Sequence, residues 1–548
     1  MKIFKIVTLL FLLSFIIRSQ PCQAQSDGFE VVKNLELLDL IMRDLDKYFV
    51  DKPVPGKLMK TAIEAMLKEL DPYTVLIDES NIEDYRLMST GQYGGVGATI
   101  RKIRDHVVVA ELLEGNPAQK AGVLAGDIIL FIDGKAMKDK SSEEVSSFLK
   151  GPKNSKVDVE VDRPFVGKMK FTITREEIEV PDVPHHTIIE NGIGYIKLNS
   201  FSQKAYKSVK ETYDDLVKKG MTSLVFDLRG NGGGLLTEAV NIVNMFVPRG
   251  QEVVRTVGRI EEQNFVYLTQ NAPINLNIPV AVLVDGGSAS ASEIVSGALQ
   301  DLDRAVIIGS NTFGKGLVQR VIDLKYGSKI KLTISRYYTP SGRCVQKLNY
   351  SAREEGQAAQ MADDSEVTYF KTKNGRKVRD NRGVDPDIEI PEKMWSRLTA
   401  TLLLDNIIFD YATKYVSENP TIASADKYKF SVQDYEQFKL FTKTQNISYT
   451  TQSEDVLSNL LEAGKAEGLL DEKTPEYVQL KKMVQASLQR DLDKDQTEIM
   501  ELLQDEIISR YYFQKGRLIN SFQEDEALVE AKKILTNPSA MKKVLTGK

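Results

Sequence analysis

Three apolar runs constrain this chain most: SLVFDLRG from Ser223, PVAVLVDGG from Pro279 and RAVIIG from Arg304. Each runs straight into glycine, and helix-patterned segments lie near Ala205 to Lys219, from Leu235 to Phe246 and near Glu293 to Gln300. Strands buried on both faces read as continuous apolar runs, and crossover helices make neighbouring strands parallel. The spacing predicts a layered α/β domain over residues 179 to 392. Its glycine turns fall at the carboxyl ends of the strands, where ligands and catalytic groups gather in such sheets.

At 548 residues the chain exceeds what one hydrophobic core supports. It reads as a multidomain α+β protein. Residues 1–24 open with Lys2 and Lys5, continue through an apolar run from Ile6 to Ile17 and end on small residues Cys22 and Ala24, the pattern of a secretory signal peptide. The run, about 12 residues, is short of the roughly 20 that span a bilayer. Ser19, Gln20 and Pro21 are poor leaders for lipid attachment at Cys22. Cleavage would remove Lys2, Lys5 and Arg18 and no acid, moving the formal charge from −5 to −8, which suggests no nucleic-acid partner. The mature chain would keep Cys344 alone, so no internal disulfide is expected.

Residues 25–91 carry apolar residues at helical spacing, broken by VDKPVPG, and predict a helical N-terminal module. Residues 92–178 change to short alternating strands separated by glycine and proline turns, with GNPAQKAGVLAGDIILFIDG between two of them. This arrangement resembles a PDZ domain, a β-barrel-like module, with Tyr93, Gly94, Gly95, Val96 and Gly97 as its carboxylate-binding loop. That resemblance implies that a peptide tail adds as a strand to the sheet edge and sets its terminal carboxylate on loop N–H groups. Taken alone, the glycines equally make a turn. Within 179–392, the stretch near 344–379 is polar and reads as a surface insertion. Residues 393–548 are charged and helix-patterned, contain no catalytic constellation, and are expected to dock or dimerise.

The chemistry gathers in DLRGNGGGLL from Asp227, VDGGSASASE from Val284 and GSNTFGKGLVQ from Gly309. Ser288, Ser290 and Ser292 lie on a strand-to-helix turn, where a hydroxyl is exposed beside backbone N–H groups that can stabilise a reacting oxygen. For any single serine there, helix capping is the more ordinary role. A nucleophilic serine needs a base, and the chain has three histidines, His106, His185 and His186. The adjacent pair has no cysteine or carboxylate partner motif, so no metal is expected. Lys315 is another base, provided burial lowers its pKa by about 3 units from about 10.4. Gln319 follows four residues later, on the same face in a helix or a strand, where its amide could orient the amine. The segment narrowly misses a nucleotide P-loop: Gly316 stands where Ser or Thr would hold magnesium, and a β-like stretch follows.

Together these pieces resemble the C-terminal processing peptidases, or tail-specific proteases, over roughly Glu36 to Pro391. SASASE, FGKGLVQ, YYTPSGR and GVDPDI occur in the family's order. The resemblance implies a crotonase-like core and a serine endopeptidase that needs no cofactor or metal. It implies Ser290 as nucleophile, Lys315 as general base, Gln319 supporting the lysine, and the N–H groups of Gly233 and Ala291 as oxyanion hole. Glu293, Asp301 and Thr312 would be supporting residues. Expected partners are proteins or peptides with free C-terminal tails, an adaptor or regulator, and a second copy in a homodimer. The expected location is the periplasm, with a membrane-associated form as the minor option. Two other readings share the core. An acyl-CoA hydratase would need acidic residues where this chain has glycines, and a binding-only relative would be expected to lack the serine or the lysine.

Overall fold

The structure is a computed structural model that describes residues 23–78, 82–350, 359–361, 363–522 and 524–547. The signal-peptide reading of residues 1–24 therefore lies outside the described residues, save Gln23 and Ala24. The chain divides into two compact units, residues 1–76 and 77–548.

In the first unit, helix α1 (Gln23–Tyr48) precedes α2 (Pro55–Lys68). Proline at the start of α2 costs no hydrogen bond there, because the first helical N–H groups lack partners anyway. In the LDPYT stretch that follows, Asp71 accepts the N–H groups of Tyr73 and Thr74, both at 2.7 Å, which closes the turn.

The second unit opens with α3 (Ile82–Thr90) and β1 (Gln92–Gly95). A β-rich lobe follows: β2 (Ala98–Ile103), β3 (His106–Leu112), β4 (Ile128–Ile132), helix α4 (Ser142–Leu149), β5 (Lys156–Arg163) and β6 (Gly167–Thr174). The sheet runs β2-β3-β4-β5-β6, leaving β2 on an edge, while β1 pairs separately with β7 (Glu176–Glu179). Helix α4 begins in a capping box formed by Ser141 and Glu144, as S-x-x-E before an apolar stripe dictates.

Next come β8 (His185–Ile188), β9 (Ile193–Lys197), helix α5 (Ala205–Lys218), β10 (Ser223–Asp227) and helix α6 (Leu236–Asn244). After β11 (Glu252–Gly258) and β12 (Phe265–Leu268), the chain forms β13 (Val280–Val284), helix α7 (Ala291–Asp301), β14 (Val306–Gly309), β15 (Leu317–Asp323), β16 (Lys329–Tyr338) and β17 (Ile388–Glu389). The central sheet runs β8-β9-β10-β13-β14-β17, parallel except for β8. Strands β10, β13 and β14 are buried at every residue, which is why their sequences do not alternate. Beside this sheet, β16 lies between β11 and β15, and β11 also pairs with β12.

The remaining helices include α8 (Arg397–Leu404), α9 (Ile407–Glu418), α10 (Val432–Thr442), α11 (Gln496–Ser521), α12 (Glu526–Leu535) and α13 (Pro538–Thr546). Phe409 on α9 packs with Ile103 and Val108 of the β-rich lobe, its ring between the guanidinium groups of Arg101 and Arg510 at 4.2 and 4.1 Å.

The C-terminal region also contributes to the core of the α/β domain. Leu224, Phe226, Val280 and Val282 face a core shared with α5, α6 and α7, whereas Val225, Ala281 and Leu283 face Ala527, Leu528 and Ala531 of α12. Side chains alternate along a strand, so a parallel sheet buries both faces only when each has a helical layer. Here the second layer comes from the end of the chain.

Candidate active site

The three glycine-rich turns converge on one cavity of about 650 Å³, lined by Gly232, Gly233, Gly234, Ser290, Lys315, Gln319 and Tyr337, with Tyr85 and Met88 of α3 on its rim. This is the carboxyl end of the central sheet, where successive parallel strands leave their connecting turns side by side.

The three serines separate by burial. Ser288 and Ser292 are fully buried, and their hydroxyls donate to the carbonyls of Leu228 and Asn231, both at 2.8 Å, binding the serine turn to the glycine turn. Ser290 is half-buried and lines the cavity. Its backbone sits at φ +56°, ψ −111°, which a residue with a Cβ adopts at a cost of about 1–3 kcal/mol. The strain puts Ser290 at the sharp entry to α7.

Glu293 holds this turn and the lysine turn together. One carboxylate oxygen accepts the N–H groups of Ser290 and Lys315, each at 2.9 Å, and the other accepts the Thr312 hydroxyl at 2.6 Å and the Gly314 N–H at 2.8 Å. Burial pushes the Glu293 carboxyl above its ordinary range, and the same four donors oppose that rise. Thr312 in turn accepts the Val384 N–H at 2.7 Å, bringing the GVDPDI segment onto the back of the lysine turn.

Gln319 lies on β15, and its amide donates to the Thr333 hydroxyl at 3.2 Å. Ala291 is the first residue of α7. Gly233 packs so closely on the serine turn that a Cβ there would lie 2.8 Å from the Ser290 Cβ and 3.0 Å from the Ala291 nitrogen. Its N–H donates to the Asn231 side-chain oxygen at 2.9 Å. Asp301 stands apart from the cavity, at the far end of α7, where it pairs with the fully buried Arg343 at 2.9 Å and accepts the Thr339 hydroxyl at 2.5 Å.

None of the histidines lines the Ser290 cavity. His186 contacts Asp215 at 3.1 Å, His106 contacts Asp105 at 3.0 Å, and His185 packs beside Phe522, where burial lowers its pKa. The lysine turn continues into strand β15 rather than a helix, so no helix N-terminus follows it to receive a phosphate. Among the described residues, no group of three or more His, Cys, Asp and Glu has metal-binding geometry.

The expected carboxylate-binding loop is divided in the structure. Tyr93, Gly94 and Gly95 belong to β1, and Val96 and Gly97 make the turn into β2. Gly94 donates to the Glu83 carboxylate at 2.7 Å, and the Val96 carbonyl accepts the Ala118 N–H at 2.8 Å. Burial pushes the Tyr93 hydroxyl up to about 12, against the Gly97 N–H beside it.

Sequence reasoning singled out neither Tyr337, whose hydroxyl donates to the Ser290 carbonyl at 3.2 Å, nor Asn231. Asn231 is fully buried. Its amide donates to the Leu198 carbonyl at 2.9 Å, and its own carbonyl accepts the Ala289 N–H at 3.0 Å. Both residues lie in motifs visible in the sequence, YYTPSGR and RGNGGG, but no spacing rule marks them.

Residues 192–351 match the model of peptidase family S41, residues 86–162 that of the PDZ domain, and residues 398–535 that described as "Probable PDZ-protease, C-terminal helical domain". The carboxy-terminal-processing protease of Bartonella bacilliformis is 35% identical over 338 residues, 61% of this chain and 77% of that one. The carboxy-terminal processing protease CtpA of Bacillus subtilis is 30% identical over 336 residues, 60% of this chain and 72% of that one. A solved photosystem II D1 C-terminal processing protease is 29% identical, covering 64% of this chain and 91% of that one, with a TM-score of 0.37. The chain belongs to the carboxy-terminal processing proteases, PDZ-containing serine-type peptidases of family S41.

Proposed function

We propose that this chain is an exported endopeptidase in which Ser290 is the nucleophile and Lys315 the general base, and that it cleaves proteins presented by their C-terminal tails. The observation that carries this is the shared anchoring of both residues on Glu293 at the wall of one cavity. In the reaction, neutral Lys315 takes the Ser290 proton and the alkoxide attacks the scissile carbonyl. The N–H groups of Ala291 and Gly233 stabilise the oxyanion, the latter by sharing or releasing its bond to Asn231. Collapse expels the amine, which takes the proton from Lys315, and water hydrolyses the Ser290 ester. Gln319 supports the Lys315 amine, Thr312 supports the lysine turn, and Asp301 supports α7.

The edge strand β2 offers unpaired backbone groups to which a substrate tail adds as a further strand, its carboxylate set on the turn at Val96 and Gly97. Tethering raises the local concentration of substrate at the serine. The proposal extends to a crotonase-like core over residues 179–392, flanked by a helical module over 25–91, a PDZ domain over 92–178 and a helical extension over 393–548. It further includes the periplasm as location, a homodimer as assembly state, and an adaptor or regulator as partner.

The test is cleavage of an unfolded protein with an apolar C-terminus by the wild type, Ser290→Ala and Lys315→Ala. Loss in both variants supports the dyad. Activity retained in Lys315→Ala points to another base, and retained activity in Ser290→Ala overturns the reading.

A further inference from the structure

The turn from Gly230 to Gly234 carries a single side chain beyond hydrogen, that of Asn231. Glycine gives such a segment wide backbone freedom and nothing to pack, so its position must come from its anchors. Gly230 donates to Asp285 at 2.8 Å and Leu235 to the Phe201 carbonyl at 2.8 Å. Asn231 is tied to Leu198, Ala289 and Ser292, and the Gly233 carbonyl accepts the Phe201 N–H at 3.1 Å. A further anchor is Arg229, at the foot of the turn.

Arg229 is held by two aspartates. Its Nη2 donates to Asp227 at 2.6 Å, and its Nη1 and Nη2 donate to the two oxygens of Asp525 at 3.0 and 2.6 Å. Asp227 also accepts the Tyr195 hydroxyl at 2.7 Å and pairs with Lys197 at 3.2 Å, and Lys197 donates to the Arg229 carbonyl at 2.5 Å. Two acids and two bases close a neutral network, with Asp525 only 9% exposed at its side chain. A planar guanidinium taking both carboxylates fixes direction as well as distance. Asp525 is itself fixed, because it caps α12 by accepting the Leu528 N–H at 3.0 Å, and α12 is seated on the sheet by Ala527, Leu528 and Ala531.

We propose that Asp525 is a positioning residue for the reaction at Ser290, acting through Arg229 on the glycine turn that lies against the nucleophile. The C-terminal helices thereby complete the active site as well as the fold. This rests on the reading of Ser290 as nucleophile and of the turn as part of the oxyanion hole.

Asp525→Asn separates the two roles of the side chain, because asparagine caps a helix as well as aspartate does but leaves the arginine without its second anion. The experiment measures kcat and KM on a short peptide, the affinity of a peptide boronate that mimics the tetrahedral intermediate, and thermal denaturation. Asp525→Asn is expected to lose about 10- to 100-fold in kcat, as small displacements at a reacting centre do, with a parallel loss in boronate affinity and KM unchanged. Arg229→Lys keeps the charge, loses the fork and is expected to fall in the same way. Both variants with wild-type kcat and boronate affinity, or a loss that only tracks the unfolded fraction, would overturn the inference while Ser290-dependent cleavage by the wild type still stands. A wild type whose cleavage does not depend on Ser290 would overturn the functional reading and this one together.

Discussion

Glu293 accepts the N–H of Lys315 at 2.9 Å through the same carboxylate oxygen that accepts the N–H of Ser290. A glutamine there keeps the shape but replaces one acceptor oxygen by an NH₂ group, which must then face two donors. Glu293→Gln is therefore expected to lower kcat about 100-fold with KM little changed, since the nucleophile and lysine turns separate. Urea denaturation should register a loss of about 1–3 kcal/mol for the unsatisfied buried donors. Wild-type kcat in this variant would show that the two turns hold their places without it.

Gly233 and Gly230 make a paired test of the glycine turn. Both have positive φ, +103° and +67°, but a Cβ on Gly233 would meet Ser290 and the Ala289 carbonyl at 2.8 Å, whereas one on Gly230 meets nothing within 4 Å. Gly233→Ala should lose about 100-fold or more in kcat by displacing the serine turn. Gly230→Ala should keep most of its activity and lose about 1 kcal/mol of stability to backbone strain.

Asp301 and Arg343 form an ion pair with both side chains fully buried. Asp301→Ala leaves the arginine charge buried without its carboxylate, a change that costs about 3–5 kcal/mol. Asp301→Ala combined with Arg343→Met should recover much of that loss, because apolar replacement of a buried pair is often neutral. Denaturation midpoints of the single and double variants check this.

The Asp227 cluster predicts a specific acid sensitivity. Burial alone would push the Asp227 carboxyl up, but the Arg229 and Lys197 cations and the Tyr195 hydroxyl hold it well below the usual carboxylate range. A folded pKa below the unfolded value of about 3.9 means that the stabilisation is complete above about pH 4 and is lost as pH falls through the folded pKa. Asp227→Asn should thus be less stable than the wild type near neutrality and should lose less on acidification. Urea midpoints measured from about pH 7 down to about pH 2 would refute this if the two curves ran parallel.

Much of the fold was legible because its signals are local. Continuous apolar strands such as VAVLV, buried at all five positions, announced a parallel sheet, and RGNGGG, SASASE and FGKG announced turns at one end of it. The lysine turn's continuation into a strand was readable from LVQRVIDLKYG in the same way. The division of Tyr93 to Gly97 between a strand and a turn was not readable, because β1 exists only through its pairing with β7, more than eighty residues away.

What the sequence determined by itself was the order of its elements and the kinds of residue at the strand ends, since backbone propensity and side-chain periodicity act over a few residues. Only the tertiary structure decided that Ser288 and Ser292 turn inward while Ser290 lines the cavity, and that no histidine joins it there. It likewise decided that α12 covers the second face of the sheet and sets Asp525 against Arg229, 296 residues away. Nothing local encodes such a pairing. It follows from the requirement that each apolar face find a partner and each buried charge find its opposite, and these are satisfied only when distant segments pack together.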